Sequence, residues 1–381
     1  QPVSRRTAMY SIAQAAGACV ALDGCSFHGP AAFQVAAFRA DVTPPLGHPL
    51  LGGLRKPALR IEDPLYANGL VLLGADAPLV IVAVDWCEIR NDAYERWRSV
   101  LAKAAGTARQ RVLVSCVHQH DAPHSDWRAQ QIFEEYKLPG GLCDPRSEEQ
   151  AIQKVAAAVR EGLKNPLQVS HIGTGQAKVE QVASNRRVLG PDGKYHWSRM
   201  STTVDPAIRN QPEGVVDPWL KTISFWHDGR PVAAIHCYAV HAQSHYGEGD
   251  VSSDFLGAAR ALRQRDDPTV RQIFLAGCCG DVIVGKYNDG KPETRRGFSG
   301  RIHAAMLSAW KATERRPLRS VGFRCVQMRL QPRRTPGYSA KEFKASLADP
   351  ATNPVRRWES ALGLSWLERV EAGRPIDVPV I

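Results

Sequence analysis

Apolar positions along this chain fall into short runs broken by turn residues, and their periods sort them into strands and helices. Phe33 to Asp41 reads as a strand. Gly69 to Leu73 and Leu79 to Val84 read as two more, joined by the hairpin signal Gly74-Ala-Asp-Ala-Pro78. The spacing of Tyr94, Trp97, Leu101 and Ala104 predicts a helix. Asp92 is its expected cap, Glu95 completes a capping box, and Gly106 stops it. A short buried strand over 112–117 follows. Strand, helix, strand in this order predicts a βαβ unit with parallel strands and a right-handed crossover. Ligands of such sheets bind beyond the carboxyl ends of the strands.

The same reading continues downstream. Ser147 and Gln150 are expected to open a helix whose apolar face is Ile152, Val155, Val159 and Leu163. Strands are predicted over Val169 to Gly175, Leu220 to Trp226 and Pro231 to Val240, the last two joined by His227-Asp-Gly-Arg230, an Asp-Gly hairpin. Ser253 is the expected cap of a helix bearing Phe255 and Leu262, and Gln272 to Ala276 is another buried strand. Helices over 299–311 and 356–371, a strand over 321–330, and the start of one at Val378-Pro-Val-Ile381 complete the pattern. No internal repeat is visible. The fold class is therefore α/β, with mixed β-sheets flanked by helices in a single large catalytic-type domain over 33–332. Residues 333–381 form a C-terminal helical segment, read as the start of an incomplete remainder of that domain.

Composition adds exclusions. The net charge of +11, from 49 Lys+Arg against 38 Asp+Glu, is spread along the chain in pairs such as Arg186-Arg187 and Arg333-Arg334. No nucleic-acid motif accompanies it, so no nucleic-acid partner is expected; a basic surface leaves peripheral contact with anionic headgroups open. No apolar run is long enough for a conventional membrane helix. Nine cysteines include no Cys-x-x-Cys, which argues against a structural zinc knuckle. Ser4-Arg5-Arg6-Thr7 before a mildly apolar stretch resembles a twin-arginine signal. Residues 1–32 are thus read as an export signal or a disordered arm. Export to the periplasm or the extracellular space is expected, with lipid anchoring at Cys25 an option. Oligomeric state is not legible.

Candidate chemistry gathers at strand exits. His118 and His120 follow the strand over 112–117 and, two apart in extended backbone, point to one side. His241 leaves another buried strand in the same way. Three imidazoles at strand ends match the donor set of a catalytic zinc with an open position for water. Asp121 is placed to orient an imidazole or to cap a turn. Arg186 is placed to bind an anionic group or polarise a carbonyl oxygen. Asp281, in the glycine-flanked loop Gly277-Cys-Cys-Gly-Asp-Val282, is a candidate catalytic carboxylate at the rim. His245 lies in a glycine-rich loop and supports the centre or is solvated; His236 reads as structural. A cysteine nucleophile at Cys278 or Cys279 is a third possibility.

Several segments, in order, resemble one family. They are Ala40-Asp-Val-Thr-Pro44, Asp63-Pro-Leu-Tyr-Ala67, Val84-Asp-Trp-Cys87, Val117-His-Gln-His-Asp-Ala-Pro123, Asn185-Arg186, Ala239-Val-His241, Ser252-Ser-Asp254 and Gly280-Asp-Val282. The ordered set is similar to the neutral/alkaline, non-lysosomal ceramidase-like proteins, and the chain looks like a shorter bacterial relative. The resemblance implies an α/β assembly around mixed sheets and zinc-dependent hydrolysis of the amide of ceramides. It implies His118 and His241 as zinc ligands, with His120 and Arg186 as substrate or transition-state groups. The family's further ligands are a Glu in Pro-Gly-Glu and a later Tyr. This chain has no Pro-Gly-Glu before Ile381, so truncation at the C-terminus is expected, with Tyr287 and Asp289 as stand-in ligands. Where the family has a Ser after Gly-Asp-Val, this chain has Ile283. The expectation is a zinc-dependent hydrolase of an amide, or a related carbonyl or glycosidic bond, in a small-molecule, lipid or glycan substrate. The alternative is a weak or inactive relative that binds lipid or glycan through an incomplete metal site.

Overall fold

The computed structural model describes residues 33–74 and 76–381. The export-signal reading of 1–32, Cys25 included, lies outside them. The first half of the fold contains strands β1 (Phe33–Asp41), β2 (Tyr66–Leu73) and β3 (Leu79–Val84), helix α1 (Asn91–Ala105), strand β4 (Val112–Cys116), helices α2 (Trp127–Glu135) and α3 (Pro145–Gly162), and strand β5 (Leu167–Val169). Its sheet has the order β4-β3-β2-β1-β5. Neighbours are antiparallel except β3 and β4, which are parallel and linked through α1. The predicted βαβ unit is present.

The second half contains β6 (His171–Lys178), β7 (Trp219–His227), β8 (Arg230–Tyr238), α4 (Asp254–Asp266), β9 (Arg271–Ala276), α5 (Pro292–Lys311) and β10 (Glu314–Pro317). Its sheet order is β9-β8-β7-β6-β10, with only the β8–β9 pair parallel. The halves therefore share one topology. In each, a three-strand meander leads through a helix to a parallel edge strand, and further helices (α2 and α3 in the first half, α5 in the second) return the chain to the opposite edge. The absence of a repeat in the sequence concealed this duplication of topology. The β7–β8 turn is as expected: Asp228 and Gly229 have φ of 46° and 82°, both positive, as a two-residue hairpin requires.

The two-residue period of a strand explains the layering. On β3, Val80, Val82 and Val84 pack with Trp97 and Leu101 of α1 and Ile152, Val155 and Val159 of α3. Leu79, Ile81 and Ala83 belong to a separate core with Ala233, Ile235 and Ile273 of the second sheet. β3 is buried along its whole length for that reason, which accounts for its unbroken apolar run.

Helix starts differ from the expected caps. Asp92 lies inside the first turn of α1, whose capping residue is Arg90, and its carboxylate pairs with Arg374. α3 begins at Pro145 because Asp144 accepts from the Arg146 amide, ahead of Ser147. Ser253 makes no side-chain cap; its hydroxyl is taken by Asp63. α5 starts at Pro292, seven residues before the expected position, where the apolar period is too weak to signal it. In the C-terminal segment, a helix α6 (Ala340–Ala348) that periodicity did not announce is fixed by a Ser339–Glu342 capping box. It packs with α7 (Pro354–Glu371) against Ile132 and Phe133 of α2. A ribbon of β11 (Arg324–Met328) and β12 (Ile376–Val380) places Asp377 2.9 Å from the buried Arg98.

Candidate metal centre

β4 runs on past its last ladder position: the Val117 amide donates to Val84 O at 2.9 Å and the His118 amide to Trp86 O at 3.0 Å. His118 then takes a positive φ of 71°, which turns the chain out of the sheet. Gln119, between the two histidines, is fully buried, and its Nε2 donates to Asp85 Oδ1 at 3.2 Å and Ser253 O at 3.3 Å. Asp85, also fully buried, accepts both terminal nitrogens of Arg260 at 2.5 Å and the Tyr66 amide at 2.9 Å. With Gln119 held on that side, His118 and His120 are left together on the other. Their ring centroids are 5.1 Å apart.

His241 arrives from the other half. Its amide donates to Val282 O at 3.0 Å, and its Nδ1 donates to Cys279 O at 2.6 Å and reaches Val282 O at 3.2 Å. The ring comes to 4.7 Å from that of His118 and 5.8 Å from that of His120. His118 Nδ1 donates to Cys87 O at 2.8 Å. A carbonyl can only accept, so both rings carry their proton on Nδ1 and keep the Nε2 lone pair free, the arrangement that metal-binding histidines use. Among the described residues neither ring nitrogen of His120 has a hydrogen-bond partner, though both atoms are buried. Burial, the neighbouring imidazoles, Arg186 and Arg55 hold His120 well below its ordinary range. Burial first, then His118 and Arg186, lower His241 to about 4. These two rings are neutral donors at pH 7.

Among the described residues, two sets of donor atoms lie within 4.8 Å of one another: Cys87, His118 and His120, and Cys87, Glu88 and His124. His241 stands in ring contact with the first set without joining it. Orphaned imidazole nitrogens, fixed tautomers and a nearby thiol fit a borderline-soft ion such as zinc. Arg186 is placed by the pairing of Ser184–Asn185 with Val282–Ile283 and by its own amide, which donates to Asp281 O at 2.7 Å. Among the described residues its guanidinium has no carboxylate partner, and its charge acts on both His120 and His241.

The other expected residues fall elsewhere. The Asp281 carboxylate pairs with Arg187 Nε at 2.8 Å; what this loop gives the centre is backbone carbonyls, from 279, 281 and 282. Asp121 accepts from the Gly247 amide at 2.8 Å, tying down the loop beside His120 rather than an imidazole, and burial pushes its carboxyl up to about 7. His245 is exposed and lines a cavity of about 400 Å³ with Arg55, Ser244 and Tyr246. Tyr287 donates to Glu213, and Asp289 accepts from Thr294 Oγ1 at 2.6 Å and the Lys291 amide at 3.1 Å. Neither is in a donor set. Cys279 is raised by burial and serves through its carbonyl, while Cys278 is exposed. Ile283 is fully buried and His236 is held between Thr222 and Gln272, a structural role as expected. Sequence reasoning missed Tyr246, whose ring lies 4.9 Å from His120, and Arg55, over the Tyr246 ring at 5.8 Å. It also missed the donors Cys87, Glu88 and His124. His124 in the run after His120 was the available signal.

The fold and centre thus define a two-sheet α/β protein with a histidine cluster at the carboxyl ends of its strands. No protein-family model and no curated protein matches the chain. Its structural neighbours are neutral ceramidases. The enzyme from Pseudomonas aeruginosa aligns with a TM-score of 0.59 and 15% identity, over 79% of this chain and 48% of that one. A ceramidase complexed with C2 aligns with a TM-score of 0.59 and 15% identity, over 78% and 47%. The chain spans about half the length of these solved structures. At this identity the likeness establishes the fold, as the ceramidase-like resemblance of the sequence implied.

Proposed function

We propose that the histidine cluster is the centre of a zinc-dependent hydrolase of ceramidase-like fold that cleaves the amide bond of an N-acylated lipid or a related amphiphile. The observation that carries this reading is the set of three imidazoles in ring contact, two with Nδ1 committed to backbone carbonyls and one with both nitrogens buried and unpartnered. His118 and His120 would hold the ion, with His241 beside them. The ion would supply Lewis acidity and an acidified water. Arg186, cationic and without a carboxylate partner, is positioned to stabilise negative charge developing on the carbonyl oxygen. His120 and His241 stay neutral at pH 7 and present lone pairs rather than protons. The cavity bounded by Arg55 and Tyr246 opens beside His120 and gives a substrate polar headgroup somewhere to lie.

The test is zinc binding and turnover of a short-chain N-acyl sphingosine by the purified chain. His118→Ala and His120→Ala should each lower zinc affinity by at least about tenfold and abolish turnover. Unchanged zinc affinity in both variants would sink the proposal. A binding-only relative is the second reading, favoured by the engagement of Asp281 with Arg187 and by the buried Ile283. Zinc bound with the same histidine dependence, but no turnover of amide, ester or glycosidic substrates, would select it.

A further inference from the structure

The second donor set shares Cys87 with the histidine centre, while Glu88 and His124 belong to it alone. Cys87, Glu88 and His124 each offer one ligand atom, and these atoms lie within 4.8 Å of one another. The backbone builds the set. Glu88–Ile89 and His124–Ser125 pair as parallel strands with Glu88 registered on His124, and the Cys87 amide donates to Pro123 O at 2.8 Å. His124 is 1% exposed, and its Nε2 has no hydrogen-bond partner among the described residues. That nitrogen faces Glu88 Oε2 at 3.7 Å, close to the separation of two ligands on one tetrahedral ion, roughly 3.3 Å for bonds of about 2.0 Å. Cys87 is a buried free thiol, also 1% exposed, whose Sγ lies 3.8 Å from His118 Nδ1. The set therefore stands behind the Nδ1 edge of His118, and Nε2 is the ring's other edge.

We infer that Cys87, Glu88 and His124 form a second metal site for a thiophilic divalent ion of the zinc class, bound through Sγ, a carboxylate oxygen and Nε2. On binding, the Cys87 thiol gives up its proton to solvent and the sulfur lone pair forms the bond to the ion, so one proton is released per ion. Thiolate and carboxylate together balance the ion's charge. Arg90 donates to the same Oε2 of Glu88 that faces His124, and a carboxylate oxygen has a second lone pair to offer the metal. The mixed sulfur, nitrogen and oxygen donors favour zinc or cobalt over calcium or magnesium. A bound ion would stiffen the junction between 87–89 and 123–125 whose carbonyl at Cys87 fixes the tautomer of His118.

Cobalt(II) titration of the full chain tests this, because only a thiolate ligand gives the near-ultraviolet sulfur-to-cobalt charge-transfer band. The band is expected in the wild type, absent in Cys87→Ser, and retained in His120→Ala. His124→Ala and Glu88→Gln should each weaken cobalt binding, read at that band, by about tenfold or more. Glu88 is the less buried position, so Glu88→Gln decides the matter if His124→Ala does not fold. No band in the wild type, or isotherms unchanged in both His124→Ala and Glu88→Gln, would overturn the site. A band lost in His120→Ala and kept in His124→Ala would also overturn it, assigning Cys87 to the histidine cluster. Hydrolysis enters none of these readings, so the site stands or falls separately from the proposed activity.

Discussion

Asp85→Asn is the sharpest probe of how the histidines are aimed. Asp85 is fully buried and accepts two bonds from Arg260, one from Gln119 and one from the Tyr66 amide. Asparagine keeps the shape, removes the charge and replaces one acceptor oxygen with a donor. The Arg260 side chain, 6% exposed, is then a buried cation without its counter-ion. Leaving one member of a buried pair uncompensated costs about 3–5 kcal/mol, whereas replacing both members by apolar groups is far milder. Urea unfolding of the metal-free protein should show that loss in Asp85→Asn. The double variant Asp85→Asn/Arg260→Met should be more stable than the single by at least about 1 kcal/mol. Because Gln119 is anchored on Asp85, the single variant should also weaken zinc binding by about 10–100-fold, the usual effect of loosening a residue that orients ligands. A loss under about 1 kcal/mol with unchanged zinc affinity would refute the clamp.

Glu148 gives a pH-dependent test. Burial raises its carboxyl to about 8, against an ordinary value of 4.5, with Ser125 Oγ and Trp127 Nε1 donating to it. The folded state thus binds the proton more tightly than the unfolded one. This contribution to stability is complete below the unfolded value and is lost as pH rises through about 8. Glu148→Gln should remove that slope, on the order of 3–5 kcal/mol between pH 5 and pH 9 in urea titrations, and an unchanged slope would contradict it. Arg186→Leu should lower kcat/KM by about 100-fold or more with zinc content unchanged, if turnover is found. Gly175→Ala should destabilise the second sheet by about 1–3 kcal/mol, since a Cβ there would lie 2.1 Å from Ala309 O on α5; a change in midpoint within error would exclude that contact. Saturating zinc should raise the unfolding midpoint, by about 2.7 kcal/mol in stability at a hundred times the dissociation constant, and chelation should reverse it.

The sequence by itself determined the local elements and the residues that carry the chemistry. β1, β3 and the Asp-Gly hairpin are where the apolar runs and turn residues put them, because both signals are read within a few residues. His118 and His120 do share a side as expected, but not through strand alternation, because the strand ends at Cys116 and His118 has a positive φ; the resemblance of the ordered motifs led to the neutral ceramidase fold. Only the tertiary structure decided what those residues face. Cys87 is 31 positions before His118 and Cys279 is 38 after His241, yet their carbonyls fix the two tautomers. The Asp85–Arg260 clamp spans 175 positions, and α5 lacked a strong local signal at its start, whereas α6 carried one in its Ser339–Glu342 capping box. The duplicated topology is also a property of the packed state. Strand order is set by which apolar faces meet across two sheets, and sequences with no visible repeat satisfy it equally well. Partners of this kind are selected by long-range register and burial, which no local window of the chain contains.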